Sequence, residues 1–168
     1  IFLIPDLVEA GCDSFKFEGR MKKPEYVATV IKTYRKALDR YYENPDTFQV
    51  AKDEINALEQ VFNRGFTEAF MKEKSYQNLM SFNRPSNRGL FIGRITGISS
   101  GNKISIKLEK DLCVGDGIQT WISVGGRQGE TVKKILHNGK RVEKAKSGWT
   151  VELELSDKVR SGDRVFKT

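Results

Sequence analysis

The chain has 168 residues, 38% of them hydrophobic and 30% charged, with a net charge of +7. That composition excludes collagen-like and disordered chains and allows one domain with a sizeable core or two small ones. No apolar run approaches the ~18 residues that cross a bilayer, so no membrane partner is expected, and two widely separated cysteines make a cytoplasmic setting with free thiols the expectation. The opening Ile1–Ile4 is too short for a signal-peptide core, and without an initiator Met the sequence reads as a piece of a longer protein.

Pro5 to Ala10 reads as a short helix with Pro in its first turn and Gly11 closing it. Cys12 follows; it and Cys113 are the chain's two cysteines, far apart, and with a lone turn histidine, His137, they leave no zinc site and no disulfide framework. Ser14–Phe17 alternates as a strand does, and Glu18-Gly19-Arg20 is the loop after it. Pro24 opens a helix whose Val27, Val30, Ile31, Tyr34, Ala37, Leu38 and Tyr41 share one stripe. This helix–strand–loop–helix order is α/β in character and too short to build a sheet, so residues 1–43 read as the last strand and helix of a larger α/β domain.

Residues 44–85 read as a helical linker. Asn44-Pro45-Asp46 is a turn, and a second helix carries Ala51, Ile55, Leu58, Val61 and Phe62 on its inner face. Asn63-Arg64-Gly65 ends that helix, and Phe66–Phe82 reads as aromatic packing across a junction. The turn chemistry of Arg84–Gly89 marks a boundary.

From residue 86 to Thr168 the period is two. The expected strands are Leu90–Thr96, Lys103–Leu108, Gly117–Ser123, Glu130–Leu136, Arg141–Ala145, Thr150–Leu155 and Asp163–Phe166, which suit a small β-barrel. Residues 100–121 align without a gap onto 147–168, with Ile104, Ile106 and Leu108 over Val151, Leu153 and Leu155, and Gly115-Asp116 over Gly162-Asp163. The expected fold class is therefore α+β: an α/β remnant and helices followed by an all-β barrel built from two related halves.

Charge is unevenly spread. Residues 1–85 hold 13 basic and 13 acidic side chains, whereas residues 86–168 hold 16 and 9. An excess confined to one module points to an anionic partner, nucleic acid first, against the alternative of a solvating surface. The candidate nucleic-acid-binding residues are Arg84, Arg88, Arg94, Lys103, Lys107, Arg127, Lys133, Lys134, Lys140 and Arg141, with Phe91, Trp121, Trp149 and Phe166 as aromatics for base stacking or for the core. In the first half, Glu18 and Arg20 are the candidate catalytic pair, because ligands of α/β folds bind in loops after strand ends; a structural ion pair is the competing use. No nucleophile–base pair or metal cluster stands out, and no cofactor is expected within this chain.

The run Asp13-Ser14-Phe15-Lys16-Phe17-Glu18-Gly19-Arg20-Met21-Lys22-Lys23-Pro24-Glu25-Tyr26-Val27 resembles the collagenase-like peptidases, family U32. Phe62–Thr67, Asn87-Arg88-Gly89 and Ile92-Gly93 also look like family motifs. The resemblance implies an upstream α/β-barrel catalytic domain of the same chain as a partner, with an iron–sulfur cluster there in several members. It implies a C-terminal barrel similar to domain two of translation elongation factors. It implies two activities, proteolysis including that of collagen, and hydroxylation of tRNA or rRNA bases. Residues 86–168 are thus expected to be an accessory, substrate-binding domain of a U32-type protein that contacts RNA or polypeptide and is not catalytic alone. The alternatives are an assembly or capping module of a collagenase-like protease, which allows an oligomer, and the RNA-docking tail of an RNA hydroxylation enzyme.

Overall fold

In a computed structural model, residues 1–68, 70–71, 87–99, 103–122, 126–156 and 159–168 are described, the Arg127 side chain apart. Arg84 and most of the Phe66–Phe82 segment lie outside the described residues. The chain forms two compact units, Ile1–Asn87 and Arg88–Thr168.

The first unit is helical. Helix α1 (Ile4–Glu9) precedes the 20-residue α2 (Pro24–Glu43), a single 3₁₀ turn over Pro45–Thr47, and α3 (Lys52–Val61). Pro5 and Pro24 sit in the first turns of their helices, where a missing N–H costs nothing. Ile4, Ala37 and Tyr41 form a small core with Val8, Phe15, Tyr34, Leu38 and Phe48 against it. Glu54 ties the helices together: its Oε2 accepts from the Ala51 N–H at the start of α3 and pairs with the Arg40 guanidinium of α2 at 2.7 Å.

The expected strand at Ser14–Phe17 is extended but has no ladder. Its alternation is real, since Phe15 and Phe17 are half-buried and Lys16 is exposed, and Phe17 meets Tyr34 edge-on at 4.8 Å. What is missing is a partner strand, without which backbone N–H and C=O groups cannot pair. Val27 and Ile31, on the apolar stripe of α2, remain 39% and 43% exposed.

The second unit is all antiparallel β. Its strands are β1 (Leu90–Ser99), β2 (Lys103–Lys107), β3 (Leu112–Cys113), β4 (Gly117–Ile122), β5 (Gly126–Thr131), β6 (Ile135–His137), β7 (Lys140–Val142), β8 (Lys144–Ala145), β9 (Thr150–Glu154) and β10 (Arg164–Lys167). Eight strands form one sheet in the order β5-β4-β10-β1-β2-β9-β6-β7, and β3 pairs with β8 separately. Only Val132–Lys134 separate β5 from β6, although the two lie near opposite ends of that order, so the sheet curls into a half-barrel. Its interior holds Ile92, Ile95, Ile104, Ile106, Leu108, Leu112, Ile118, Ile135, Val151, Leu153 and Val165.

The sequence repeat is a structural one. The expected Lys103–Leu108 and Thr150–Leu155 are β2 and β9, and they pair with each other so that Ser105 faces Glu152, its own counterpart in the repeat. Strands β4 and β10 are the second corresponding pair, and there Gln119 faces its counterpart Phe166. The turns match as well. Asp116 Oδ2 accepts from the Cys113 N–H at 2.7 Å, and Asp163 Oδ2 from the Arg160 N–H at 2.8 Å. Gly115 (φ +90°) donates to the Val132 carbonyl and Gly162 (φ +91°) to that of Ile95, each at 2.8 Å. The two copies are thus related by an approximate two-fold axis.

Two expected strands are corrected. Glu130–Leu136 breaks into β5 and β6, because Lys133 and Lys134 are both exposed and interrupt the alternation. Arg141–Ala145 divides into β7 and β8, the latter serving β3. Strand β1 carries a bulge between Phe91 and Gly93. There Gly93 has φ +146°, and a Cβ would lie 2.5 Å from the Lys107 carbonyl oxygen.

Gly93→Ala is therefore expected to cost about 2 kcal/mol or more, from strain and clash together. Gly115→Ala and Gly162→Ala, which meet open space at the added Cβ, should each cost about 1 kcal/mol and should match one another. Urea denaturation of the three variants measures both the order and the equality.

Candidate nucleic-acid interface

On β10, Val165 is fully buried, so Arg164 and Phe166 point to the sheet's outer face. The ladder extends this face to both sides. Arg94 of β1 and Trp121 of β4 lie directly opposite Arg164, while Phe91 and Gln119 lie opposite Phe166. Next along, Arg127 of β5 is opposite Trp121 in the backbone register. The bulge in β1 is what returns both Phe91 and Arg94 to one face across three residues.

The aromatics pack on one another, with Phe166 only 6% exposed and Phe91 and Trp121 half-buried. Trp121 stacks on Phe166 with ring centroids 4.3 Å apart, and Phe91 lies 5.3 Å from Phe166. Trp121 Nε1–H donates to Gln119 Oε1 at 3.4 Å. Arg94 and Arg164 are exposed beside these rings. Arg94 donates to the Gly162 carbonyl at 3.1 Å, and among the described residues no carboxylate pairs with either guanidinium. Directly opposed residues have Cβ atoms within ~5.5 Å, and like charges so placed repel. A pair of facing arginines is a local rule broken, and such breaks are expected at binding surfaces.

The other predicted cations have different surroundings. Lys103 faces Glu154 across β2 and β9, and with Lys134 it flanks a shallow recess containing Glu152 and Glu154. Arg141 pairs with Glu143 at 3.4 Å. Lys107 faces Thr150, Lys140 sits opposite His137 at a turn, Lys133 is exposed between β5 and β6, and Arg88 is half-buried. Lys144, which charge counting also supplies, is held above its usual pKa range by its hydrogen bond with Asp111. Of the predicted pool, Lys103 and Arg141 thus stand beside carboxylates, whereas Arg94 stands opposite Arg164 beside the aromatics of the β1–β10–β4 side. Arg164 lies outside the predicted pool; the antiparallel register of the two repeats, with residue 121 against 164, is what brings it to this face.

Trp149 and His137 have a structural arrangement. Their rings stack at 4.1 Å and 12°, and His137 Nδ1–H donates to the Thr150 carbonyl at 2.9 Å. In the first unit, Glu18 and Arg20 are both exposed, and Glu18 Oε1 accepts from the Arg20 backbone N–H at 2.8 Å. The carboxylate thus shapes the loop. Beyond them, Lys22 Nζ sits 3.1 Å from the Phe62 ring centroid, with Arg64 5.1 Å from the same ring, so the two motifs distant in sequence meet at Phe62. No group of three or more His, Cys, Asp or Glu that could hold a metal occurs among the described residues. No helix among them is long and apolar enough to cross a membrane.

Residues 1–81 match the model of peptidase family U32. The chain is 34% identical to an uncharacterized protease of Methanocaldococcus jannaschii, over 97% of this chain and 41% of that protein. It is 44% identical to tRNA hydroxylation protein P1 of Bacillus subtilis, over 41% of this chain and 16% of that protein. It is 27% identical to a collagenase of Porphyromonas gingivalis, over 99% of this chain and 41% of that protein. The chain thus spans less than half the length of these relatives.

Relief of the facing-arginine repulsion is measurable. Arg164→Thr, which keeps strand propensity, should raise stability by a few tenths to about 1 kcal/mol at low salt. Screening should remove most of that gain at about 1 M salt, where the Debye length is near 3 Å. Thermal unfolding of both proteins at the two salt concentrations checks it.

Proposed function

The chain belongs to peptidase family U32, and we propose that its second unit docks RNA as an accessory, substrate-binding module for a catalytic domain to which the first unit contributes. The observation that carries this reading is the Arg94–Arg164 pair, facing each other beside Phe91, Phe166 and Trp121 with no carboxylate paired to them among the described residues. An RNA phosphate between two guanidiniums would turn their repulsion into paired charge-assisted hydrogen bonds. The excess positive charge of residues 86–168 draws the same kind of partner from a distance. The tRNA hydroxylation relative, with the highest identity of the three, supports RNA as the class of substrate.

The first unit reads as the last strand and helix of an α/β catalytic domain. The unladdered alternation at Ser14–Phe17 and the exposed Val27 and Ile31 suit burial under further strands of such a domain. Catalysis, and any iron–sulfur cluster, would then belong to residues outside this chain, with Glu18 and Arg20 at the loop following the strand. The protein would work in the cytoplasm, where RNA substrates are.

A second reading makes the substrate a polypeptide. It is favoured by the relatives named protease and collagenase, whose similarity runs through 97% and 99% of the chain.

The test is an anisotropy titration of the 168-residue chain with labelled tRNA across salt. Each phosphate contact adds about −0.7 to −0.9 to the log–log slope, so affinity should fall as salt rises. Arg94→Glu and Arg164→Glu should each weaken binding about tenfold or more, and Lys103→Gln, opposite Glu154, should change it little. No tRNA binding at ~50 mM salt, with retention on gelatin or a collagen peptide instead, would replace the RNA reading with the polypeptide one.

A further inference from the structure

We infer that Lys22 and Arg64 of the first unit form a binding site for a phosphate group; the site is independent of the docking reading above. Two stretches distant in sequence meet at one ring. The Lys22 ammonium lies 3.1 Å from the centroid of the Phe62 ring, and the Arg64 guanidinium 5.1 Å from it. Each cation is attracted to the ring, but two like charges gathered on one ring repel each other. The ring supplies no counter-charge. Among the described residues no carboxylate pairs with either side chain, and neither has a hydrogen-bond acceptor. Arg64 is exposed, and the half-buried Lys22 keeps its ammonium at the surface. An anion reaching both would replace their repulsion with charge-assisted hydrogen bonds.

Both cations rise from loops whose backbone is pinned. The Lys22 N–H donates to the Gly19 carbonyl at 3.0 Å, and the Arg20 N–H to Glu18 Oε1 at 2.8 Å. Gly19 is seated against α2, where a Cβ would lie 2.7 Å from Val27 Cγ2. Met21 between them is held at φ +63°, a left-handed conformation unusual for a bulky residue. On the other side, the Asn63 N–H donates to Asn87 Oδ1 at 2.7 Å and the Gly65 N–H to Asn63 Oδ1 at 2.6 Å. Loops ordered beforehand lose less entropy when a ligand arrives. Arg20 and Lys23 are exposed in the same loop as Lys22 and add to the local positive field, against Glu18 and Glu25.

The two donors select the kind of anion. A planar carboxylate is matched by the fork of a single arginine. Here an arginine and a lysine approach from separate segments, one a planar fork and the other a point charge. A tetrahedral phosphate offers oxygens to both at once. That group can come from an RNA backbone or from a small phosphorylated compound.

The experiment titrates the ¹⁵N-labelled 168-residue chain with inorganic phosphate, chloride keeping the ionic strength constant. It follows the Arg64 Nε–Hε resonance and the amides of Lys22 and Gly65. These shifts should saturate in the millimolar range, and acetate should bind about tenfold more weakly. Arg64→Gln, at an exposed position, and Lys22→Gln should each raise the phosphate dissociation constant about tenfold. Lys22→Arg, which keeps the charge and the ring contact, should restore most of the affinity. Lys133→Gln, at an exposed lysine of the second unit, should leave it unchanged. A second arm adds tRNA: movement of the same Arg64 resonance, reversed by phosphate, identifies an RNA phosphate as the source. Saturation by phosphate with Arg64 unmoved by tRNA identifies a small phosphorylated compound. Shifts that rise linearly without saturation, or that Arg64→Gln leaves unchanged, would overturn the site. Acetate binding as tightly as phosphate would overturn its assignment to phosphate.

Discussion

The second unit depends on one constraint, the antiparallel register in which the two copies of a repeated segment pair with each other. Ser105 faces Glu152 and Gln119 faces Phe166, and each pair consists of corresponding positions. Because side chains alternate across a strand, a slip of one residue at either place would move every apolar side chain of that strand out of the core. The register is therefore enforced by Ile104, Ile106, Ile118, Val151, Leu153 and Val165, all buried on one side. It is enforced again at the ends, where Asp116 and Asp163 close matching turns on their own backbone N–H groups.

The same register that builds the core also composes the surface. On the β2–β9 side it sets Lys103 opposite Glu154, two unlike charges in one register position. On the β1–β10–β4 side it sets Arg94 against Arg164 and Arg164 against Trp121. The two halves share a scaffold and differ in what they display, as expected of a duplicated module of which one face has been specialised. Stability is conceded on that face, because among the described residues neither guanidinium pairs with a carboxylate that would offset its neighbour. On the proposed reading, an anionic partner would recover the loss on binding.

Much of this was legible in the sequence. The repeat, its inward-facing residues and the Gly-Asp turns follow from alternation and from the backbone freedom that glycine supplies. The break at Lys133–Lys134 was present as two polar residues in succession, but a window scored for strand character passes over a gap so short. The lack of a ladder at Ser14–Phe17 could not be inferred, because a strand is completed by a partner that alternation does not identify. The candidate site was the least legible. Charge counting treats every lysine and arginine alike, and only the register distinguishes Lys103, beside a carboxylate, from Arg94, beside another arginine. Arg164 entered through that register, and ring contacts divide the two tryptophans into one stacked on His137 and one stacked on Phe166.

The central claim is that the β1–β10–β4 face receives RNA. Amide chemical-shift mapping of the ¹⁵N-labelled chain on titration with unlabelled tRNA tests it most directly. The account predicts that the shifts concentrate on Phe91, Arg94, Trp121 and Arg164 and their strand neighbours, with β2 and β9 largely unmoved. Shifts centred on Lys103, Lys107 and β9, or confined to residues 1–87, would contradict it.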